Sequence, residues 1–223
     1  MAVENLRHVK VFDGRVFKKS VHVIGAGATG SYLLLQLAKL GVQDIHVWDF
    51  DKIEDHNLAN QLYGPDHVGM SKVEAIQRVI KEQADMDITI HAERVIDQRL
   101  DGVVFLLTDT MASRKEIFTN SLKFKPHVDM VIETRMGAQE MVIHAFEPVH
   151  PALVERWEST LTSDDVEVAA PSDCGAQTTI GATASMLAGA ATWQFLKHAA
   201  GQPVDHYQYI SIAPLQLQSK QWA

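Results

Sequence analysis

The chain has 223 residues, 46% of them apolar and 22% charged, which is typical of a soluble globular protein with one good core and excludes a disordered chain. Its 20 basic and 28 acidic residues give a net charge of −8 without a basic cluster, so we expect no nucleic-acid partner. The apolar runs are too short to span a bilayer and the start lacks a secretory signal, so we expect no membrane partner and a cytoplasmic location.

The first half of the chain predicts strands that alternate with helices. Short apolar runs predict strands at Val21–Ile24, Ile45–Trp48, Ile88–His91 and Val103–Leu107. Apolar periodicity predicts helices over Thr29–Leu40, from Ser71 onward with a capping box at Ser71–Glu74, and over Ala112–Leu122. Between them, Phe50–Met70 predicts a loop because it is rich in polar residues, Gly and Pro. This alternation predicts an α/β fold with a doubly wound, mostly parallel, Rossmann-like sheet.

The last third of the chain predicts an antiparallel C-terminal extension. Predicted strands are His127–Ile132 and Gln139–Phe146, joined by a tight connection at Glu133–Gly137, and an edge strand at His206–Ile212. The second of these is apolar on both faces, so we expect it to be covered on both. Residues 148–176 predict a crossing segment with a short helix at Leu153–Leu161, and Gln177–Ala200 predicts a long helix too rich in Ala, Gly and Thr to be a membrane span.

We therefore expect a single domain over residues 1–223, with a nucleotide-binding core at 20–135 and the extension at 136–223. Within the core, Gly25, Gly27 and Gly30 follow the first strand in the order G-x-G-x-x-G, which lets a strand turn tightly into a helix beside a nucleotide. Asp49 ends the second strand, where a carboxylate accepts hydrogen bonds from ribose hydroxyls. These features fit NAD and ATP equally well.

The residues after Asp49 favour ATP over a dinucleotide. Lys72 lies in the first turn of its predicted helix, where free N–H groups and the helix dipole already favour phosphate. Asp109 follows a predicted strand at the edge where such sheets bind ligands, and a carboxylate there suits Mg²⁺. We therefore do not expect the large substrate domain of a hydride-transfer enzyme.

Five ordered motifs carry a family resemblance: G-A-G-A-T-G-S, D-F-D, N-L-A-N-Q, V-G-M-S-K and L-T-D. In this order and spacing the chain resembles the ThiF/MoeB superfamily related to ubiquitin-activating enzymes, closely over residues 20–135 and loosely beyond. The resemblance implies an adenylyltransferase that uses ATP and Mg²⁺ to activate the C-terminal carboxylate of a small ubiquitin-like or sulfur-carrier protein or a peptide, with release of pyrophosphate. It also implies a homodimer.

The resemblance assigns roles by position. Asp49 would hold the ribose, Asn57 and Lys72 the triphosphate, and Asp109 the Mg²⁺. Asp51 and Gln61 would support them. The attacking carboxylate is already an anion, so alignment and charge neutralisation suffice and no strong general base is required.

One position departs from the family pattern N-L-x-R-Q, because Asn60 replaces the arginine and removes a cation that would bind phosphate. Arg135 is one replacement, and Arg7 or Arg15 is another if a dimer partner supplies it. The alternative for each is a solvated or ion-paired surface arginine. Asn60 also motivates a second hypothesis, a catalytically impaired scaffold of the same fold, and an NAD(P)-binding oxidoreductase is a third.

Cys174 is the only cysteine, so the paired cysteines of zinc-binding relatives are missing and we expect no zinc. It precedes the predicted long helix, where a lowered thiol pKa would suit a covalent intermediate, although isolated cysteines are more often inert. His144 and His150 match no metal-ligand spacing, so we interpret His144 as a hydrogen-bonded structural histidine.

Overall fold

The computed structural model describes residues 7–162 and 178–222. They contain one eight-stranded sheet of order β3-β2-β1-β4-β5-β6-β7-β8. The strands are β1 (Val21–Ile24), β2 (Ile45–Trp48), β3 (Thr89–His91), β4 (Gly102–Leu106), β5 (Val128–Met136), β6 (Glu140–Phe146), β7 (Tyr207–Ile212) and β8 (Leu215–Lys220). The first five pair in parallel and the last three are antiparallel, so the predicted fold class is confirmed.

Helices cover both faces of the sheet. They are α1 (Ala28–Leu40), α2 (Lys72–Ala84), α3 (Met111–Ile117), α4 (Pro151–Glu158) and α5 (Gly181–Ala199). Short 3-10 helices occupy Asp55–Ala59 and Pro65–His67 within the predicted loop, and a π-helix at Phe118–Leu122 continues α3. In the described ranges, none of these helices is both long and apolar enough to cross a bilayer.

Two apolar clusters fix this arrangement. On one face, α1, α2 and α5 bury residues such as Leu33, Ile76 and Phe195 against the sheet. On the other face, Phe118 and Trp157 from the segments around α3 and α4 pack against the opposite side chains of the strands. Because the parallel strands all point the same way, their carboxyl ends meet at one edge of the sheet, where β1, β2 and β4 each release their chain into a loop.

The start of α2 differs from the predicted capping box. Ser71 is the N-cap residue, but its side chain makes no cap hydrogen bond. The chain before the helix instead pairs with the loop after β2: Lys52 and Ser71 form an antiparallel bridge, and the backbone N–H of Lys72 donates to the carbonyl of Asp51 at 3.0 Å. The loop thus satisfies the first backbone N–H group of the helix.

The antiparallel half contains two wrong predictions. The predicted connection at Glu133–Gly137 is wrong because β5 continues to Met136, which pairs with Met141 of β6. The predicted edge strand, β7, is not an edge, because β8 pairs with it over its whole length. The alternation Leu-Gln-Leu-Gln in Leu215–Lys220 was the available signal for this last strand.

The remaining boundaries follow the sequence with small shifts. Met141 and residues 143–146 of β6 are buried, as expected for a strand covered on both faces. The short helix α4 lies within the predicted crossing segment, and α5 begins at Gly181 because Ile180 is still extended. Residues 163–176 of the predicted crossing segment, with Cys174 among them, lie outside the described residues, as does the predicted helix start at Gln177.

Candidate nucleotide site

The glycine turn between β1 and α1 is built for close backbone approach. Gly25 has φ +101°, and a Cβ there would lie 2.9 Å from the carbonyl oxygen of Leu107. A Cβ at Gly30 would lie 2.0 Å from the carbonyl oxygen of Gly25, so helix and turn pack too closely for any side chain. A Cβ at Gly27 would meet nothing within 4 Å, so this residue faces open space at the helix start. The turn is therefore closed on its inner side and open outward, as a ligand-binding turn must be.

Asp49 lies beside this turn at the end of β2. One carboxylate oxygen accepts a hydrogen bond from the N–H of Ala26 at 2.8 Å, and the other accepts from the N–H of Asp51 at 2.8 Å. Burial raises the pKa of Asp49, and nearby Lys72 and the two backbone donors only partly oppose that effect. Each oxygen still has a second lone pair, so the carboxylate can also accept from a ligand hydroxyl.

Lys72, the first residue of α2, is buried with its side chain 10% exposed. Its Nζ donates to Oδ2 of Asp51 at 2.8 Å, and Asp51 itself is about half exposed. The cation is therefore held in place by a carboxylate that faces solvent, and an incoming phosphate can compete with that carboxylate for it.

Tyr63 joins the glycine turn to α2, a role that the sequence did not suggest. Its buried hydroxyl donates to the carbonyl of Ala26 at 2.6 Å and lies 3.3 Å from the carbonyl oxygen of Lys72. Burial raises the pKa of Tyr63 well above its usual value, so the hydroxyl stays protonated and keeps its donor. The signal available in the sequence was a tyrosine inside a predicted loop.

The loop between β2 and α2 holds the amide side chains predicted for the site. Asn57 is buried, and its Oδ1 accepts from the N–H of Glu54 at 3.0 Å. The amide nitrogen of Asn60 donates to Oγ1 of Thr179, which ties this loop to the residues before α5. Asn57 therefore shapes the loop itself, and Asn60 anchors the loop to a distant part of the chain.

Four buried side-chain oxygens in this region have no hydrogen-bond partner among the described residues. They are Asn60 Oδ1, Gln61 Oε1, Ser71 Oγ and Thr108 Oγ1. Buried polar atoms are normally satisfied, and such atoms beside an open glycine turn fit a polar ligand. Their donor and acceptor capacity suits a nucleotide.

Asp109 is exposed and follows β4 at the same edge of the sheet. Thr110 caps the next helix, with its Oγ1 accepting from the N–H of Ser113 at 3.2 Å, so α3 begins directly behind the carboxylate. Across residues 7–162 and 178–222, no group of three or more His, Cys, Asp or Glu side chains is arranged to hold a metal. A lone carboxylate still fits Mg²⁺, which commonly binds one or two carboxylates together with substrate phosphates.

A second buried carboxylate lies within β5, level with the end of β4, and was missed by the sequence analysis. Glu133 is fully buried, with Oε1 3.1 Å from Arg114 Nε and 2.9 Å from Arg135 Nε. Its Oε2 lies 2.7 Å from His144 Nδ1 and accepts from the indole N–H of Trp157 at 3.4 Å. We call these five residues the Glu133 cluster.

The cationic partners in this cluster outweigh the effect of burial on the pKa of Glu133. Burial alone would raise the pKa of Glu133, but Arg114, the hydrogen bond from His144, and Arg135 together hold it well below its usual value. The carboxylate is therefore ionised and paired. His144 is confirmed as a hydrogen-bonded structural histidine.

The other predicted arginines and the cysteine lie in different settings. Every nitrogen of the Arg135 guanidinium is engaged, because Nε donates to Glu133 and the two terminal nitrogens donate to Thr160. Arg7 is exposed, and Arg15 is exposed and paired with Asp13 at 2.8 Å. Cys174 lies outside the described residues. The structure thus joins the glycine turn, through Ala26, to Asp49 and Lys72, whereas Arg135 belongs to the Glu133 cluster.

Comparison with known proteins identifies the family. The ThiF family matches residues 9–222. This chain belongs to the ThiF family.

Individual relatives of this ThiF-family chain match it over a limited length. Ubiquitin-like modifier-activating enzyme 5 of Caenorhabditis elegans is 33% identical over 92 residues, covering 41% of this chain and 22% of the relative. The same enzyme of Drosophila ananassae is 34% identical over 92 residues, covering 41% of this chain and 23% of the relative. The chain thus spans less than a quarter of the length of these relatives.

Solved structures share the fold over nearly the whole chain. PaaA has a TM-score of 0.69 at 20% identity, covering 91% of this chain and 72% of its own. Escherichia coli MccB with ATP has a TM-score of 0.68 at 16% identity, covering 96% of this chain and 66% of its own. The microcin C7 biosynthetic enzyme MccB in complex with N-formylated MccA has a TM-score of 0.69 at 15% identity, covering 92% and 64%. At these identities the likeness concerns the fold.

Proposed function

We propose that this protein is an ATP-dependent adenylyltransferase that activates a carboxylate at the end of a small protein or peptide. The observation that carries the proposal is the joint placement of Asp49 and Lys72 around an open glycine turn, tied together through Ala26, Asp51 and Tyr63. Membership of the ThiF family supports the reaction class. The match to MccB with ATP supports the choice of nucleotide.

Each residue has a proposed task. Asp49 accepts hydrogen bonds from the ribose, and Lys72 moves from Asp51 to the triphosphate, where its charge stabilises the departing pyrophosphate. Asn57, Gln61 and the N–H groups at Gly27 line the phosphates and orient them. Asp109 would hold Mg²⁺, which when bound neutralises phosphate charge. The carboxylate of the substrate displaces pyrophosphate from the α-phosphorus, so a new P–O bond forms as another breaks.

The proposed substrate is a small ubiquitin-like or sulfur-carrier protein, or a peptide. The relatives named as ubiquitin-like modifier-activating enzymes support the first class, and the complex of MccB with N-formylated MccA supports the second. Both classes offer a flexible end with a free carboxylate, which is the nucleophile that the site requires.

We also propose that the protein works as a homodimer. Support comes from the apolar groove beside α1 and α5, lined by residues that include Val11, Gly189 and Trp193, because Val11 is 55% and Trp193 58% exposed. An exposed tryptophan beside an apolar groove is typical of a protein interface. Arg7, exposed in the chain before this groove, is the cation that we propose a partner could bring to the site in place of the arginine missing at Asn60.

The test is ATP–pyrophosphate exchange with Mg²⁺ and a panel of small carrier proteins and peptides with free carboxyl ends. Lys72→Met is expected to reduce exchange by about a hundredfold or more, the loss typical of removing a charge that stabilises the transition state. Lys81→Met is the matched control, since Lys81 lies on the same helix but is exposed and paired with Asp85 and Asp87. Equal exchange in wild type and Lys72→Met would contradict the site assignment.

Two other outcomes separate the rival hypotheses. ATP binding without exchange for any carboxylate would support the catalytically impaired scaffold that Asn60 suggests. A larger rise of the melting temperature with NAD than with ATP would support an oxidoreductase, because the tighter ligand stabilises the folded state more.

A further inference from the structure

The Glu133 cluster lies beside the turn that carries Asp109, and this proximity is not used by the function proposed above. Glu133 pairs in register with Leu106, the last residue of β4. From Leu106 the chain passes outward through Thr108 and Asp109, and α3 then returns it to Arg114, whose Nε lies 3.1 Å from Glu133. Glu133 therefore contacts both ends of the segment 106–114, and Asp109 lies in its middle.

The contact at the returning end is rigid. Arg114 is buried with its side chain 7% exposed, and its Nη2 donates to the carbonyl of Thr134 at 2.9 Å in addition to its contact with Glu133. A planar guanidinium held at two points on one strand fixes the rotation of the helix that bears it. The first turn of α3 is fixed with it, because Thr110 caps that turn.

The other members of the cluster hold the carboxylate itself. Arg135 and His144 contact Glu133 from β5 and β6, so it cannot swing away from Arg114. Burying an ionised carboxylate has a large desolvation cost that apolar residues would avoid. A role in geometry explains why the cluster is charged.

We propose that Glu133 is a positioning residue that, through Arg114, fixes the Asp109 turn in the geometry needed to bind the divalent cation of the nucleotide. The proposal rests on the assignment of Asp109 in the proposed function. Groups that orient metal ligands without touching the metal commonly change metal affinity by 10- to 100-fold when they are removed. Glu133 acts on the Asp109 turn through Arg114 alone. Its removal should therefore weaken binding of the metal and leave binding of the nucleotide base and ribose unchanged.

The test compares three variants of the full chain. Arg114→Gln removes the tie to α3 and leaves Glu133 paired with Arg135 and His144. Glu133→Gln removes the carboxylate charge. Trp157→Phe is the control, because it deletes the 3.4 Å indole hydrogen bond to the same carboxylate and keeps an aromatic ring in the core.

The first readout needs no activity. In hydrogen–deuterium exchange, peptides covering residues 107–113 are expected to exchange about tenfold faster in Arg114→Gln and Glu133→Gln, with β1 unchanged. Trp157→Phe should match wild type in residues 107–113. If Glu133→Gln does not fold, Arg114→Gln carries the comparison alone, and unchanged exchange in that variant would overturn the proposal.

The second readout is the Mg²⁺ concentration that gives half-maximal pyrophosphate exchange. It should rise about tenfold in Arg114→Gln while the KM for ATP changes less than about twofold, since the metal geometry alone is disturbed. An equal loss across metal and ATP dependence would point to general destabilisation and contradict a positioning role. Wild-type protein without any Mg²⁺-dependent exchange would instead refute the proposed function, and the hydrogen-exchange result would still decide whether Glu133 fixes the turn.

Discussion

Two buried carboxylates at the carboxyl edge of the sheet have opposite environments. Asp49 at the end of β2 is held by two backbone N–H groups, and burial raises its pKa. Glu133, within β5 and level with the end of β4, is also buried, but two arginines and a histidine reverse the effect of burial and lower its pKa. Two buried carboxylates at the same edge of the sheet thus have pKa shifts of opposite direction, because one is bound by backbone dipoles and the other by cations.

The difference separates a binding group from a structural one. Backbone N–H groups orient the carboxylate of Asp49 and leave lone pairs for a ligand. Both carboxylate oxygens of Glu133 are in contact with side chains of the cluster, four in all. A variant at Glu133 should therefore affect mainly stability and geometry, whereas a variant at Asp49 should affect mainly ligand binding.

The largest expected effect is on the stability of Glu133→Ala. Removing the carboxylate leaves Arg114 and Arg135 buried without their anion, and breaking such a buried pair typically lowers the free energy of unfolding by about 3–5 kcal/mol. Urea unfolding followed by circular dichroism measures this. Glu158→Ala is a suitable control because the Lys123–Glu158 pair is partly exposed. Equally small losses of unfolding free energy in both variants would show that the Glu133 cluster does not stabilise the fold as we describe.

Asp49→Asn should reduce ATP binding more than it reduces stability. An amide oxygen can still accept from one backbone N–H, so the stability loss should be about 1–3 kcal/mol, while ATP affinity should fall about tenfold or more through loss of a charge-assisted hydrogen bond. Titration calorimetry with ATP measures the second quantity. Asp44→Asn, before the amino end of the same strand, is the control and should bind ATP as wild type does. Unchanged affinity in Asp49→Asn would remove Asp49 from the site.

The two carboxylates should also respond to acid with opposite signs. The folded pKa of Glu133 is below its reference value of 4.5, so its stabilisation is complete above that pH and is lost as the pH falls below it. The folded pKa of Asp49 is above its reference value of 3.8, so the folded state binds the proton more tightly and its contribution improves as the pH falls through the raised pKa.

Free energies of unfolding measured from about pH 3.5 to 7 would test these signs. As the pH falls, wild type should lose part of its stability advantage over Glu133→Gln. Over the same range, the free energy of unfolding of wild type should rise relative to that of Asp49→Asn. Two gaps that move in the same direction would contradict the assigned environments.

The smallest expected effect is that of Tyr63→Phe. The variant loses one buried hydrogen bond to Ala26, worth about 1 kcal/mol, and loosens the link between the glycine turn and Lys72. Thermal unfolding and ATP titration should show modest losses in both quantities. Tyr209→Phe serves as the reference, because its hydroxyl donates to exposed Glu140. A stability loss no greater than in Tyr209→Phe would mean that Tyr63 does not tie the site together.

The parallel half of the fold could be predicted from the sequence, because each buried strand is a short apolar run followed by a helix with its own period. The antiparallel half was predicted less well. The polar residues Glu133 and Thr134 looked like a turn, whereas Glu133 is a buried strand residue whose charge is satisfied by residues distant in sequence. β8 was missed although its leucines and glutamines alternate, because all its side chains are exposed and the strand adds no residue to the apolar core.

The site residues that could be predicted are those whose order and spacing along the chain form a motif. The glycines, Asp49 and Lys72 follow one another in a fixed order along the first half of the chain. The ties that join them were not predictable, since the hydrogen bonds from Tyr63 to Ala26 and from Asn60 to Thr179 span 37 and 119 positions. Such contacts depend on the tertiary fold, and no local pattern marks them.

The most direct test of the central claim is a crystal structure of the protein with a non-hydrolysable ATP analogue and Mg²⁺. We expect the Nζ of Lys72 to leave Asp51 and lie about 3 Å from a triphosphate oxygen, with a ribose hydroxyl on the carboxylate of Asp49. A nucleotide bound elsewhere, or a bound triphosphate with Lys72 still paired to Asp51 and directed away from it, would contradict the account.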